Sequence, residues 1–110
     1  MVRLATNQVT RSNGNVFADL RLPDAAELQT KARLCATLSR IVERERLTQA
    51  QVAAALGINQ PKVSALLNYK LEGFSVERLM RFLVALGQDV EIHVKAKPSS
   101  RSARIAVKAA

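Results

Sequence analysis

The sequence predicts a mainly α-helical domain, a compact bundle of about four to five helices followed by one short C-terminal β-strand. Three observations predict it. Apolar side chains recur at spacings of three, four and seven through residues 28–42 and again through 76–86, the period of helices that bury one face. Capping residues and glycines punctuate the chain at Thr48, Gly57, Asn59, Ser75 and Gly87, where helices would start and stop. From Val90 the period changes to two, with Val90, Ile92 and Val94 alternating with Glu91, His93 and Lys95, the pattern of one half-buried strand. A chain of 110 residues has room for one such core and not for two.

Residues 1–14 are polar and contain the turn cluster Ser12, Asn13, Gly14, so they are expected to be a flexible N-terminal segment. Val16, Phe17, Leu20 and Leu22 are spaced too closely for a free loop, and an apolar pre-helix segment lying over the bundle is expected. The first helix is expected from Pro23 or Asp24 to Glu45. Asp24 followed by Glu27 has the form of a capping box, and both acids suit the positive end of a helix. Leu28, Cys35, Leu38, Ile41 and Val42 make its apolar stripe, so Cys35 reads as a small buried hydrophobe.

Leu47 to Asn68 carries the functional signal. Thr48 is placed to cap a second helix, and Gln51 three residues on can return the hydrogen bond and complete a capping box. Val52, Ala53 and Leu56 give that helix one buried edge. Gly57 supplies a left-handed terminator, Ile58 fills the corner, and Asn59 caps a third helix,. Pro61 stands in the first turn of the third helix, where a missing N–H removes no intrahelical bond. Two helices joined so tightly are a helix-turn-helix. With Val63, Leu66 and Leu67 inward, the outward positions are Gln60, Pro61, Lys62, Ser64, Ala65 and Asn68, and no Asp or Glu occurs from Leu47 to Leu71. That surface suits a DNA major groove. Gln and Asn pair bidentately with adenine, small apolar groups meet the thymine methyl, Lys serves guanine or phosphate, and a carboxylate would be repelled.

Ser75 caps a fourth helix with Val76, Leu79, Met80, Leu83 and Leu86 as its inner stripe, ended by Gly87,. The strand that follows needs a partner for its backbone. An N-terminal segment, the tail or a copy of the strand in a second subunit could supply it. The second subunit is favoured, so Val90, Ile92 and Val94 are the candidate dimer contacts.

The net charge of +8 points to an anionic partner,. Its distribution is uneven. Residues 23–94 hold nine basic and eight acidic side chains, whereas the last sixteen residues hold Lys95, Lys97, Arg101, Arg104 and Lys108 and no acid. Residues 15–96 therefore form the expected DNA-binding domain with its strand, and 97–110 a basic, flexible tail. One cysteine and one histidine cannot make a disulfide or a Cys/His zinc site, so neither metal nor cofactor is expected. No apolar run approaches a membrane span and Met1 to Thr10 has no signal-type core, so a cytoplasmic protein is expected. No nucleophile and base pair or Gly-rich phosphate loop stands out, so an enzyme is not expected.

Thr48, Gln49, Ala53, Gly57, Gln60, Val63, Ser64, Leu66 and Asn68 resemble the helix-turn-helix of Xre/Cro-repressor type regulators, and so imply a lambda-repressor-like bundle. Further stretches, NVFADL at 15–20, LPDA at 22–25, LTQA at 47–50, LGINQPKVSALL at 56–67 and GFSVERLMRFLVALGQDVEI at 73–92, are similar to a subfamily found as the HigA-like antitoxin of HigBA-type toxin–antitoxin pairs. The resemblance implies a bacterial, dimeric repressor of a palindromic operator, nucleoid-associated when bound to double-stranded DNA. Where a toxin gene is adjacent, it implies neutralisation of a HigB-like, ribosome-dependent messenger-RNA endonuclease of RelE type. Carried onto matching positions, it implies DNA contacts from Thr48, Gln49, Asn59, Gln60, Pro61, Lys62, Ser64, Ala65, Asn68 and Lys70. Pro61 and Ala65 replace the longer polar side chains of several relatives, which shifts readout towards methyl contact and DNA shape. Two further readings stand beside the autorepressing antitoxin: a stand-alone regulator without a toxin, and a toxin-masking module with secondary DNA binding.

Overall fold

A computed structural model describes residues 22–109. The stretch before them, with the turn cluster and the apolar pre-helix segment, lies outside the described residues. Four helices follow in order: α1 Leu22–Arg44, α2 Gln49–Leu56, α3 Gln60–Leu67 and α4 Val76–Ala85. Helix α1 packs against α4, and α2 against α3, with lighter contacts of α3 on α1 and α2 on α4.

The first helix starts at Leu22, so Asp24 stands inside its first turn and not ahead of it as a cap; Glu27 instead pairs with Lys31 one turn on, at 3.6 Å. The inner stripe is Leu34, Cys35, Leu38, Ile41 and Val42, all buried. Leu28 departs from expectation, being 59% exposed. No described neighbour covers the early turns of this helix, whose residues 25–29 are all exposed. Cys35 has no exposed surface, and its thiol donates to the carbonyl of Leu66 at 3.0 Å. Burial pushes that thiol's pKa up, so it packs as a neutral group.

In α4, Leu79 and Leu83 are buried as the stripe requires, with Val76, Met80 and Leu86 half-buried against the core. Phe82 joins them from outside the expected stripe. It meets Phe74 edge to face at 5.9 Å between ring centres, a favoured aromatic geometry. The Arg78 guanidinium lies over both rings, 5.2 and 5.4 Å from their centres,.

Four helices stand at the lower end of the expected four to five, and among the described residues there is neither a fifth helix nor the expected strand. A ladder needs a second backbone alongside, and past Gln88 no backbone hydrogen bond is made among the described residues,. Val90 packs half-buried against the core, whereas Ile92 and Val94 are 75% and 93% exposed. His93 lies on the same side as Glu91 and meets its carboxylate at 3.1 Å. In the basic tail, Val107 returns to pack half-buried against the core.

Candidate nucleic-acid interface

Helices α2 and α3 are joined by only Gly57, Ile58 and Asn59. Each junction is closed by the local chemistry the residues imply. At the start of α2, the Thr48 hydroxyl accepts from the Gln51 N–H at 3.1 Å while the Thr48 N–H donates to the Gln51 side-chain oxygen at 2.8 Å. This is the complete capping box. Gly57 then turns left-handed at φ 70°, and the N–H groups of Gly57 and Ile58 both reach the Ala53 carbonyl, at 2.9 and 3.1 Å. Asn59 caps α3 by accepting from the Lys62 N–H at 2.9 Å. A side chain at position 57 would meet no atom, so glycine is required by the backbone angle and not by space.

The core holds α3 by its inner side. Val63 and Leu66 have no exposed surface, as has Val52 of α2, and the Cys35 thiol bonds the Leu66 carbonyl from α1. Gln60, Pro61, Lys62 and Asn68 are exposed, with Ser64 and Ala65 half-buried beside them. Thr48, Gln49, Asn59 and Lys70 are exposed as well. All ten predicted site residues thus fall on the two helices of the motif or at their ends. Leu67, expected inward, is half-buried against the core.

Each cap spends one acceptor site and no donor. The oxygens of Thr48 and Asn59 each accept one backbone N–H, and the Thr48 hydroxyl hydrogen and the Asn59 NH₂ remain to donate. The Asn68 amide already spends one N–H on the Ser64 carbonyl at 2.8 Å, keeping a second N–H and its oxygen. Neither α2 nor α3 has an acid in its first turn, so both present the positive end of a helix uncompensated. Among the described residues, neither Lys62 nor Lys70 is ion-paired; the four pairs there are Glu27–Lys31, Arg44–Glu45, Glu77–Arg81 and Glu91–His93. The surface offers donors, one methyl, an amide and two unpaired cations. An anion with acceptor-bearing edges complements it.

One feature had no signal in the residue types. Tyr69, immediately beyond α3, takes a left-handed conformation with φ 60° and is 48% exposed. Tyrosine is not a residue whose presence predicts that backbone angle.

A helix-turn-helix domain family model matches residues 16–95. A solved structure named as an XRE family transcriptional regulator is 66% identical, aligns over 80% of this chain and all of its own, and superposes with a TM-score of 0.77. No curated protein matches the chain.

Proposed function

The chain belongs to the Xre-type helix-turn-helix transcriptional regulators, and from that premise we propose that it is a sequence-specific DNA-binding repressor whose reader is the outer face of α3. One observation carries the reading: from Leu47 to Leu71 every exposed polar group is neutral or cationic, on two helices whose caps leave donors outward. In this reading Gln60 pairs with a base edge and Lys62 with guanine or a phosphate. Ala65 and Pro61 touch thymine methyls, and Ser64 and Asn68 share base and backbone contacts. Thr48, Gln49, Asn59 and Lys70 hold phosphates, fixing the register in which α3 reads.

The operator is a palindrome bound by a homodimer, with recognition helices about 34–36 Å apart. Exposed Ile92 and Val94, beside half-buried Val90, support pairing of this segment with its copy, which would give both apolar side chains and the unpaired backbone a partner. The finer role is that of a HigA-like antitoxin that represses its own operon and masks a HigB-like toxin. Resemblance running from 15 to 92, well outside the helix-turn-helix, supports it.

Mobility shift and footprinting on the DNA upstream of the gene test the repressor. A protected palindrome is expected, and equal affinity for unrelated duplexes would refute sequence-specific binding. Co-purification with the product of the adjacent gene tests the antitoxin role. A stable complex is expected, and a lone homodimer beside a co-expressed neighbour would leave a stand-alone regulator.

A further inference from the structure

The four helices of the described residues all end in one hydrogen-bond pattern. The N–H five residues on reaches back across each terminus, Leu47 to Val42 at 3.0 Å, Ile58 to Ala53 at 3.1 Å, Lys70 to Ala65 at 2.9 Å and Gln88 to Leu83 at 3.0 Å. This is the Schellman motif, which needs a left-handed residue at the position before. Glycine fills it after α2 and α4, at Gly57 and Gly87, but Arg46 fills it after α1 and Tyr69 after α3, with φ of 55° and 60°. A side chain enters that region against a steric penalty that glycine escapes, and tyrosine lacks the local hydrogen bonding that lets Asn or Asp tolerate it.

The core does not hold Tyr69 there. Phe74 and Phe82 are each 5% exposed and pack on one another, whereas Tyr69 is 48% exposed, and among the described residues its hydroxyl has no hydrogen-bond partner. Its place is specific. It follows α3 directly, between Asn68 and Lys70 in the acid-free run, while Arg46 closes α1 ahead of both reading helices. A recognition helix reads bases from its N-terminal part, and polar groups that do not reach base edges contact the sugar-phosphate backbone.

We propose that Tyr69 is a further DNA-binding residue, its phenolic hydroxyl donating to a backbone phosphate at the C-terminal end of α3. The proposal rests on the repressor reading above. Tyrosine hydroxyls are among the groups that fix a protein's register on a duplex without reading sequence. At that end Tyr69 is 48% exposed, beside the exposed Asn68 and Lys70.

The test compares the wild-type chain with Tyr69→Phe and Tyr69→Gly on the operator fragment that the wild type protects, on a set of its sequence variants and over a series of salt concentrations. Both substitutions are expected to weaken binding about tenfold, the scale of one hydrogen bond to a charged group. The ranking of operator variants should be unchanged, and so should the slope against salt, since a phenol carries no charge to release counterions. The Gly protein should melt at or above the wild-type temperature. Full affinity in Tyr69→Phe overturns the proposal, and loss in Tyr69→Gly alone assigns the effect to the ring and overturns the hydroxyl contact. A wild-type chain that binds no DNA overturns the repressor reading and this one together, whereas a binding wild type indifferent to Tyr69→Phe overturns only this one.

Discussion

Helices α1 and α4 carry paired charges, and α4 a buried ring; α2 and α3 carry neither. The outer faces of α1 and α4 are laced one turn apart by Glu27–Lys31 and Glu77–Arg81, and α4 contributes Phe82 to the aromatic pair under Arg78. Helices α2 and α3 are eight residues each, too short to be stable alone. They depend on caps at both ends and on Val52, Val63 and Leu66 inserted into the core that α1 and α4 help build. On the proposed reading the difference separates holding from reading: both ion pairs formed one helical turn apart lie on α1 and α4, whereas Lys62 and Lys70, the cations of the proposed reading surface, make none among the described residues.

The separation can be broken from the holding side first. Leu38→Ala empties a position with no exposed surface on α1 and is expected to cost about 2–5 kcal/mol of stability. Urea denaturation reads this, and the fraction still folded should bind DNA with wild-type affinity. From the reading side, Gln60→Ala and Lys62→Ala should each weaken operator binding by about 1–3 kcal/mol. The same two substitutions should move stability by less than about 0.5 kcal/mol, and a large shift in melting with unchanged affinity would reverse the assignment. Thr48→Ala sits on the border. Losing the capping box should cost about 1 kcal/mol of stability, with a further loss of affinity if the hydroxyl hydrogen serves a phosphate. The smallest effect is Glu77→Gln, which removes an exposed pair at 2.9 Å and should change stability by about 0.3–0.5 kcal/mol, with operator ranking untouched.

Much of the reading half was legible in the residues, because caps and terminators act locally. Thr48 with Gln51, Gly57 and Asn59 each make the bond or turn that their types imply, as does Ser75 ahead of α4. The holding half was less legible where tertiary neighbours decide burial. Leu28 shares the helical spacing of the stripe, yet nothing among the described residues covers it, while Phe82 lies off the stripe and is buried because Phe74 arrives from the preceding loop. No strand forms at 90–94 within the described chain for a related reason, since alternation marks the faces of a strand but does not provide the second backbone. Tyr69 could not be found from residue type, because its left-handed angle is imposed by the end of α3.

The most direct test of the division is Gln60→Glu, titrated against operator DNA and melted in the same buffer. The substitution places one carboxylate on the acid-free face at the first residue of α3, where a negative charge favours the helix N-terminus. The account predicts a melting temperature equal to or above wild type with specific binding lost. Retained operator binding would contradict it.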